Sequence, residues 1–236
     1  MLSDLRIQIF ADGASRSEIL EMYRLPWIRG FTTNPTLMRK DGVTDYEAFA
    51  TGLIREIPDK PLSFEVVSDD FAEMERQAEK ISGWGDNVYV KIPISNTAGD
   101  SACPLIRRLA LRGIKLNVTA IMTVEQVKAA AAALADCPGA FVSVFAGRIA
   151  DSGRDPLPLM TAALAALRPY PQLQLLWASS REILNILQAE GMGCHIITVT
   201  NDLLRKASCL GRDLDAFSLD TVKMFHDDAA RAGYTL

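Results

Sequence analysis

The chain has 236 residues, 49% of them hydrophobic and 23% charged, the balance of one ordinary globular domain. A formal net charge of −4 excludes the basic footprint of a nucleic-acid or anionic-membrane binder, and no apolar run reaches the ~20 residues of a membrane-spanning helix. Two histidines and four scattered cysteines (Cys103, Cys137, Cys194, Cys209) give no Cys-x-x-Cys pair, no zinc-ligand spacing and no histidine-centred triad. Reduced thiols in a cytoplasmic protein are the expectation, and the first residues lack the basic start and apolar core of a signal peptide.

In chain order, an apolar run at 7–11 predicts a strand that delivers Asp12, and 15–23 reads as a helix. The second strand, 28–32, runs into Thr32, Thr33 and Asn34, and a helix at 45–57 follows. The third strand, 62–67, carries Glu65; a helix at 70–84, capped by Asp70, leads to the fourth strand, 87–92, which contains Lys91. A helix at 100–112 precedes the fifth strand, 115–119, with Asn117 and Thr119. Thr123 opens a helix at 124–135, and the sixth strand, 141–145, holds Ser143 and Phe145 ahead of Arg148. Asp155-Pro156 starts a helix at 156–168; the seventh strand, 174–178, is followed by Ser179 and Arg181, which open a helix at 181–190. The eighth strand, 195–199, precedes a helix at 201–210 capped by Asn201, and an amphipathic helix at 215–232 ends the chain.

Eight alternating βα units imply parallel strands with right-handed crossovers, and this length suits a single (β/α)8 barrel over 1–236 with an additional C-terminal helix. A doubly wound open sheet is the alternative, but no Gly-x-Gly-x-x-Gly turn follows the first strand. In a barrel, chemistry gathers at the C-terminal ends of the strands, which is where the polar residues named above fall. Glu65 and Lys91 are charges in apolar strands, costly unless paired or at work. A poorly solvated lysine has a lowered pKa, and its neutral amine can attack a carbonyl to form a Schiff base. The bland alternative is a lysine that snorkels to the strand end and does no chemistry.

Five segments carry a family resemblance: Gly-Phe-Thr-Thr-Asn-Pro-Thr-Leu (30–37), Val-Lys-Ile-Pro (90–93), Leu-Asn-Val-Thr (116–119), Ser-Val-Phe-Ala-Gly-Arg-Ile (143–149) and Ala-Ser-Ser-Arg (178–181). With these the chain resembles the transaldolase family of class I aldolases, including its short fructose-6-phosphate aldolase-like branch. The resemblance implies that Lys91 forms an imine with a ketose, that Asp12 exchanges the C4 hydroxyl proton, and that Glu65 shuttles protons through a water held by Thr119. It further implies that Asn34, Asn117 and Ser143 hold the hydroxyls of a dihydroxyacetone unit, with Thr32 in support near Lys91, and that Arg148, Ser179 and Arg181 bind phosphate. The placement suits an anion, since a helix N-terminus and guanidinium forks favour one; Asp151 and Asp155, close in sequence, are the salt-bridge partners Arg148 would otherwise take.

Glu65, Thr119 and Phe145 follow the transaldolase pattern, where the aldolase-like branch has glutamine in place of the glutamate and tyrosine in place of Phe145. Transfer of the three-carbon unit to an aldose phosphate, as in the pentose phosphate pathway, is therefore expected over release of free dihydroxyacetone. A non-catalytic sugar-phosphate-binding barrel is the remote alternative. The resemblance implies no metal or organic cofactor. Trp177, where the family has glycine, and Ser180, where it often has phenylalanine, depart from the pattern. Alternation from Ser179 turns Trp177 toward the barrel interior or mouth; a bulky core plug is the commoner fate of a strand tryptophan, and a reach to the mouth raises a specialised deoxy, amino or sulfo sugar as a further alternative. The last helix carries Phe217, Leu219, Val222, Phe225 and Ala229 at helical spacing. Packing on its own barrel is one account; the resemblance implies a homo-oligomer, a pentamer or decamer.

Overall fold

The structure, a computed structural model, describes residues 2–235; Met1 and Leu236, the ends of the expected domain, lie outside the described residues. Parallel strands β1 (Gln8–Asp12), β2 (Ile28–Thr32), β3 (Leu62–Glu65), β4 (Val88–Pro93), β5 (Leu116–Ile121), β6 (Ala140–Val144), β7 (Leu173–Trp177) and β8 (Ile196–Thr200) close into a barrel in sequence order. Around it lie α1 (Arg16–Tyr23), α2 (Pro35–Lys40), α3 (Tyr46–Glu56), α4 (Phe71–Ser82), α5 (Cys103–Leu111), α6 (Val124–Ala133), α7 (Ala146–Asp151), α8 (Pro156–Leu167), α9 (Leu184–Gly191) and α10 (Asn201–Arg205), followed by α11 (Leu214–Ala232). The expected (β/α)8 barrel with an extra C-terminal helix is therefore the fold. Two short helices, α2 and α7, had no sequence signal, because six residues are too few for helical periodicity to register.

Strand alternation sorts the core into two layers. Ile9, Ala11, Phe31, Leu175 and Trp177 join the large cluster between strands and helices, whereas Phe10, Phe141, Leu176, Ala178 and Ile196 form a smaller cluster inside the barrel. Inside, Tyr89 stacks on Phe141 with centroids 4.0 Å apart, and Phe10 meets Phe141 edge-on at 5.7 Å. These rings form an apolar floor. Gly30 on β2 makes room for it: a Cβ there would sit 2.6 Å from Phe10 Cζ. Above the floor the interior turns polar.

Trp177 corrects the sequence reading. It is 1% exposed and packs outward against the helices, not toward the mouth. Ser179 lies beyond the end of β7 with φ +65°, so strand alternation does not run through it and gives the wrong face for Trp177. Ser180 is buried too, and its hydroxyl donates to the Thr198 carbonyl at 2.8 Å.

The expected caps at Asp70, Thr123 and Asp155 are present, the second as a full capping box with Gln126. Asn201 is not a cap: Thr200 holds that position, and the Asn201 side-chain amide donates to Glu18 Oε2 at 3.0 Å. The helix after β7 begins at Leu184 rather than at Arg181. The backbone N–H groups of Arg181 and Glu182 are already taken by Asn185 Oδ1, so they offer no free helix terminus to an anion. The last helix is capped by Asp213 and ends on Gly233 in the left-handed region, yet none of its residues is buried. Leu219, Val222 and Phe225 are 53%, 60% and 63% exposed, which overturns packing of this face on its own barrel.

Candidate active site

The C-terminal ends of the strands enclose a cavity of about 360 Å³, a size suited to a small phosphorylated metabolite. Lys91 rises into it from β4, 6% exposed. A buried cation must be paired, and it is: Nζ lies 2.9 Å from Glu65 Oε2 and donates to the Thr33 carbonyl at 2.7 Å. The parallel register sets Glu65 beside Lys91, and Lys91 beside Asn117, so alternation alone brings all three inward. Tyr46 of α3 donates to the Glu65 backbone carbonyl at 2.7 Å and fixes the end of β3.

Asp12 closes β1 and accepts from Thr32 Oγ1 at 2.7 Å. Burial pushes its carboxyl above the ordinary carboxylate range; the positive charge of Lys91 and the Thr32 hydrogen bond pull it partly back, and Glu65 adds to the rise. Opposite, Ser143 donates to Asn117 Oδ1 at 2.6 Å and Asn117 Nδ2 donates to Ser63 Oγ at 3.1 Å. Thr119 Oγ1 is buried without a protein hydrogen-bond partner and lines the cavity. Asn34 lines it as well, but its Oδ1 caps α2 by accepting from Leu37 N at 2.9 Å, which leaves the amide N–H2 as the donor it can still offer.

Phe145, Arg148 and Ser179 form the outer wall. Arg148 lies over the Phe145 ring, 5.7 Å from its centroid, and makes no ion pair among the described residues. The two carboxylates considered as its partners are engaged elsewhere: Asp155 caps α8 and Asp151 holds Arg181. Arg181 is the one expected site residue outside the cavity lining. Its Nε and Nη2 grip Asp151 at 2.9 and 2.5 Å, and its Nη1 donates to the Ser179 carbonyl at 3.1 Å.

Among the described residues two non-glycines adopt positive φ, Ala120 (+60°) and Ser179 (+65°), and both line the cavity. Such strain persists only where surrounding packing enforces it. Gly147 makes room for the Ser179 backbone in that conformation: a Cβ on Gly147 would stand 1.5 Å from the Ser179 carbonyl oxygen. Gly147→Ala is expected to destabilise the fold by ~3 kcal/mol or more and to displace Ser179, read as a lower denaturation midpoint together with weaker phosphate inhibition.

Sequence reasoning missed Ser63, Tyr46 and Thr198. Ser63 was findable, since it sits two residues before Glu65 on the same strand face. Tyr46 opens a helix and Thr198 lies in a β-branched run, and neither context marks a site residue. Among the described residues no cluster of three His, Cys, Asp or Glu side chains is placed to hold a metal ion.

Lys91, Glu65, Asp12 and Thr119 thus share one cavity at the C-terminal mouth of a closed parallel barrel. The model of the family described as Transaldolase/Fructose-6-phosphate aldolase matches residues 9–235, so the chain belongs to that family. A probable transaldolase of Dehalococcoides mccartyi is 35% identical over 199 residues, covering 84% of this chain and 88% of the relative. One from Chelativorans sp. is 34% identical over 221 residues, covering 92% and 97%. Among solved structures, 3-hexulose-6-phosphate synthase from Salmonella typhimurium superposes with a TM-score of 0.59 at 11% identity, covering 85% of this chain and 92% of that one, a likeness of fold alone.

Proposed function

We propose that this chain is a transaldolase that carries a dihydroxyacetone unit on Lys91 as a Schiff base and transfers it from a ketose phosphate to an aldose phosphate. The observation that carries the reading is the buried Lys91–Glu65 pair with Asp12 and Thr119 in one cavity. Glu65, 2.9 Å from Nζ, is positioned to take the ammonium proton of Lys91, which frees the amine lone pair to attack the ketose carbonyl. A water between Glu65 and the otherwise unpartnered Thr119 hydroxyl would take part in dehydration of the carbinolamine. The imine then accepts the electron pair released as C3–C4 breaks, while Asp12 takes the C4 hydroxyl proton. Burial suits Asp12 to this work, since a carboxylate with a raised pKa is a stronger base. Asn117, Ser143 and the Asn34 amide would hold the remaining hydroxyls.

The free-aldolase reading keeps the same donor chemistry and differs in where the three-carbon unit goes. Glu65, Thr119 and Phe145 favour transfer, as do the names of the relatives. The specialised-sugar reading loses its main motive, because Trp177 packs in the outer core cluster and is not among the residues that line the mouth. Turnover of fructose 6-phosphate with and without erythrose 4-phosphate tests the choice: glyceraldehyde 3-phosphate formed only with the acceptor supports the transferase, and dihydroxyacetone released without it overturns that reading in favour of the aldolase.

For the phosphate, Arg148 lines the cavity and makes no ion pair among the described residues, whereas Arg181 lies outside the lining and is held by Asp151. Arg148→Ala is expected to raise KM for phosphorylated ketoses by the equivalent of ~1.5–3 kcal/mol, more than Arg181→Ala, with little change for unphosphorylated ones. The whole chain would act as one barrel domain in cytoplasmic pentose phosphate metabolism. The uncovered apolar face of α11 supports a homo-oligomer, with a pentamer or decamer as the expected state.

A further inference from the structure

Asp12 is flanked on both sides by threonines. Thr32 on β2 and Thr198 on β8 are 4% and 5% exposed, and their hydroxyls meet at 2.6 Å inside the barrel. Thr32 Oγ1 also lies 2.7 Å from Asp12 Oδ1. A hydroxyl has one proton to give. An ionised carboxylate only accepts, so while Asp12 is ionised the Thr32 proton goes to it, and the proton between the two threonines must come from Thr198. The direction of the chain is thereby fixed: Thr198 O–H to Thr32 Oγ1, and Thr32 O–H to Asp12 Oδ1. Thr198 itself is held in place by β8 pairing with β1 and by the Ser180 hydroxyl on its backbone carbonyl.

We propose that Thr198 is a positioning residue for Asp12: by donating to Thr32 it stops that hydroxyl from turning away and commits the Thr32 proton to the Asp12 carboxylate. The role rests on the proposed reaction only in its consequence for turnover, since the hydrogen-bond chain exists without substrate. Donation along a chain also strengthens each link, so the ionised form of Asp12 is favoured from two residues away. The other charges acting on Asp12 are Lys91 on β4, which favours ionisation, and Glu65 on β3, which opposes it; both stay in place when Thr198 is changed.

The test is the titration of Asp12 in the intact protein, followed by the carboxylate carbon resonance and assigned by its loss in Asp12→Asn. Thr198→Val keeps the shape and removes the donor; it is expected to move the Asp12 midpoint upward, and Thr198→Ser to restore it. In a Thr32→Val background, Thr198→Val is expected to cause no further shift, because the route to Asp12 is already cut. An unchanged midpoint in Thr198→Val, or an equal shift with and without Thr32, overturns the proposal. With a ketose donor, Thr198→Val is also expected to lower kcat about fivefold at unchanged KM, because the freed Thr32 hydroxyl no longer holds the Asp12 carboxylate in place and this loss outweighs any gain in basicity, in line with loss of one neutral hydrogen bond. A midpoint that moves as expected in a protein that turns over no ketose would leave the threonine chain standing and remove the proposed reaction.

Discussion

Lys91→Met is expected to reduce turnover to background and to abolish imine formation with any ketose, while leaving a folded barrel. Met approximates the lysine stem in volume and suits a residue only 6% exposed. What it removes is the nitrogen. The change also strips Glu65 of its partner, and an unpaired carboxylate at 18% side-chain exposure costs stability. Part of any fall in melting temperature is therefore Glu65's, and adding Glu65→Gln to Lys91→Met is expected to recover it without restoring activity. Activity retained in Lys91→Met would mean that the nucleophile lies elsewhere. Lys91 is the lysine that lines the cavity, which makes that outcome hard to accommodate.

The second large effect falls on Asp12. Asp12→Asn is expected to lower kcat by about 10²–10⁴-fold, the usual contribution of a positioned general acid–base group, while imine formation at Lys91 persists. Its effect on stability has the opposite sign. The folded-state pKa of Asp12 is raised, with burial as the main cause. The folded protein therefore holds this proton more tightly than the unfolded chain, and the stability the group contributes is present below the unfolded pKa and lost as pH rises through the folded value. Asn carries no such penalty. The melting temperature of Asp12→Asn relative to the parent is thus expected to grow with pH across that window and to level off above it. Thermal denaturation from acidic to neutral pH measures the difference, and a difference independent of pH would contradict the assignment. A slower but more stable variant is the usual sign of a group placed for chemistry at the fold's expense.

Much of this was legible in the chain itself, for reasons that differ from one residue to the next. The barrel follows from alternation of βα units, which needs no knowledge of side-chain contacts. Lys91 and Glu65 stand out because a charge in an apolar strand has few innocuous explanations, and the structure brings them to 2.9 Å. Trp177 was misread because a single residue in the left-handed region, Ser179, breaks the count of alternating faces. Arg181 could not be resolved by sequence: its spacing is right for the rim, but its engagement with Asp151, 30 positions away, is a tertiary choice. Thr198 was invisible because threonine in a β-branched strand is explained by propensity alone. In the last helix the spacing of Phe217, Val222 and Phe225 gave an apolar face but not what would cover it.

The central claim is a covalent role for one nitrogen, and the most direct measurement is borohydride reduction of the wild-type protein with fructose 6-phosphate or dihydroxyacetone, followed by mass spectrometry of its peptides. One reduced adduct per chain is expected, on the peptide that contains Lys91, and none when Lys91 is replaced by methionine. An adduct on a different lysine, or none with either ketose, would contradict it.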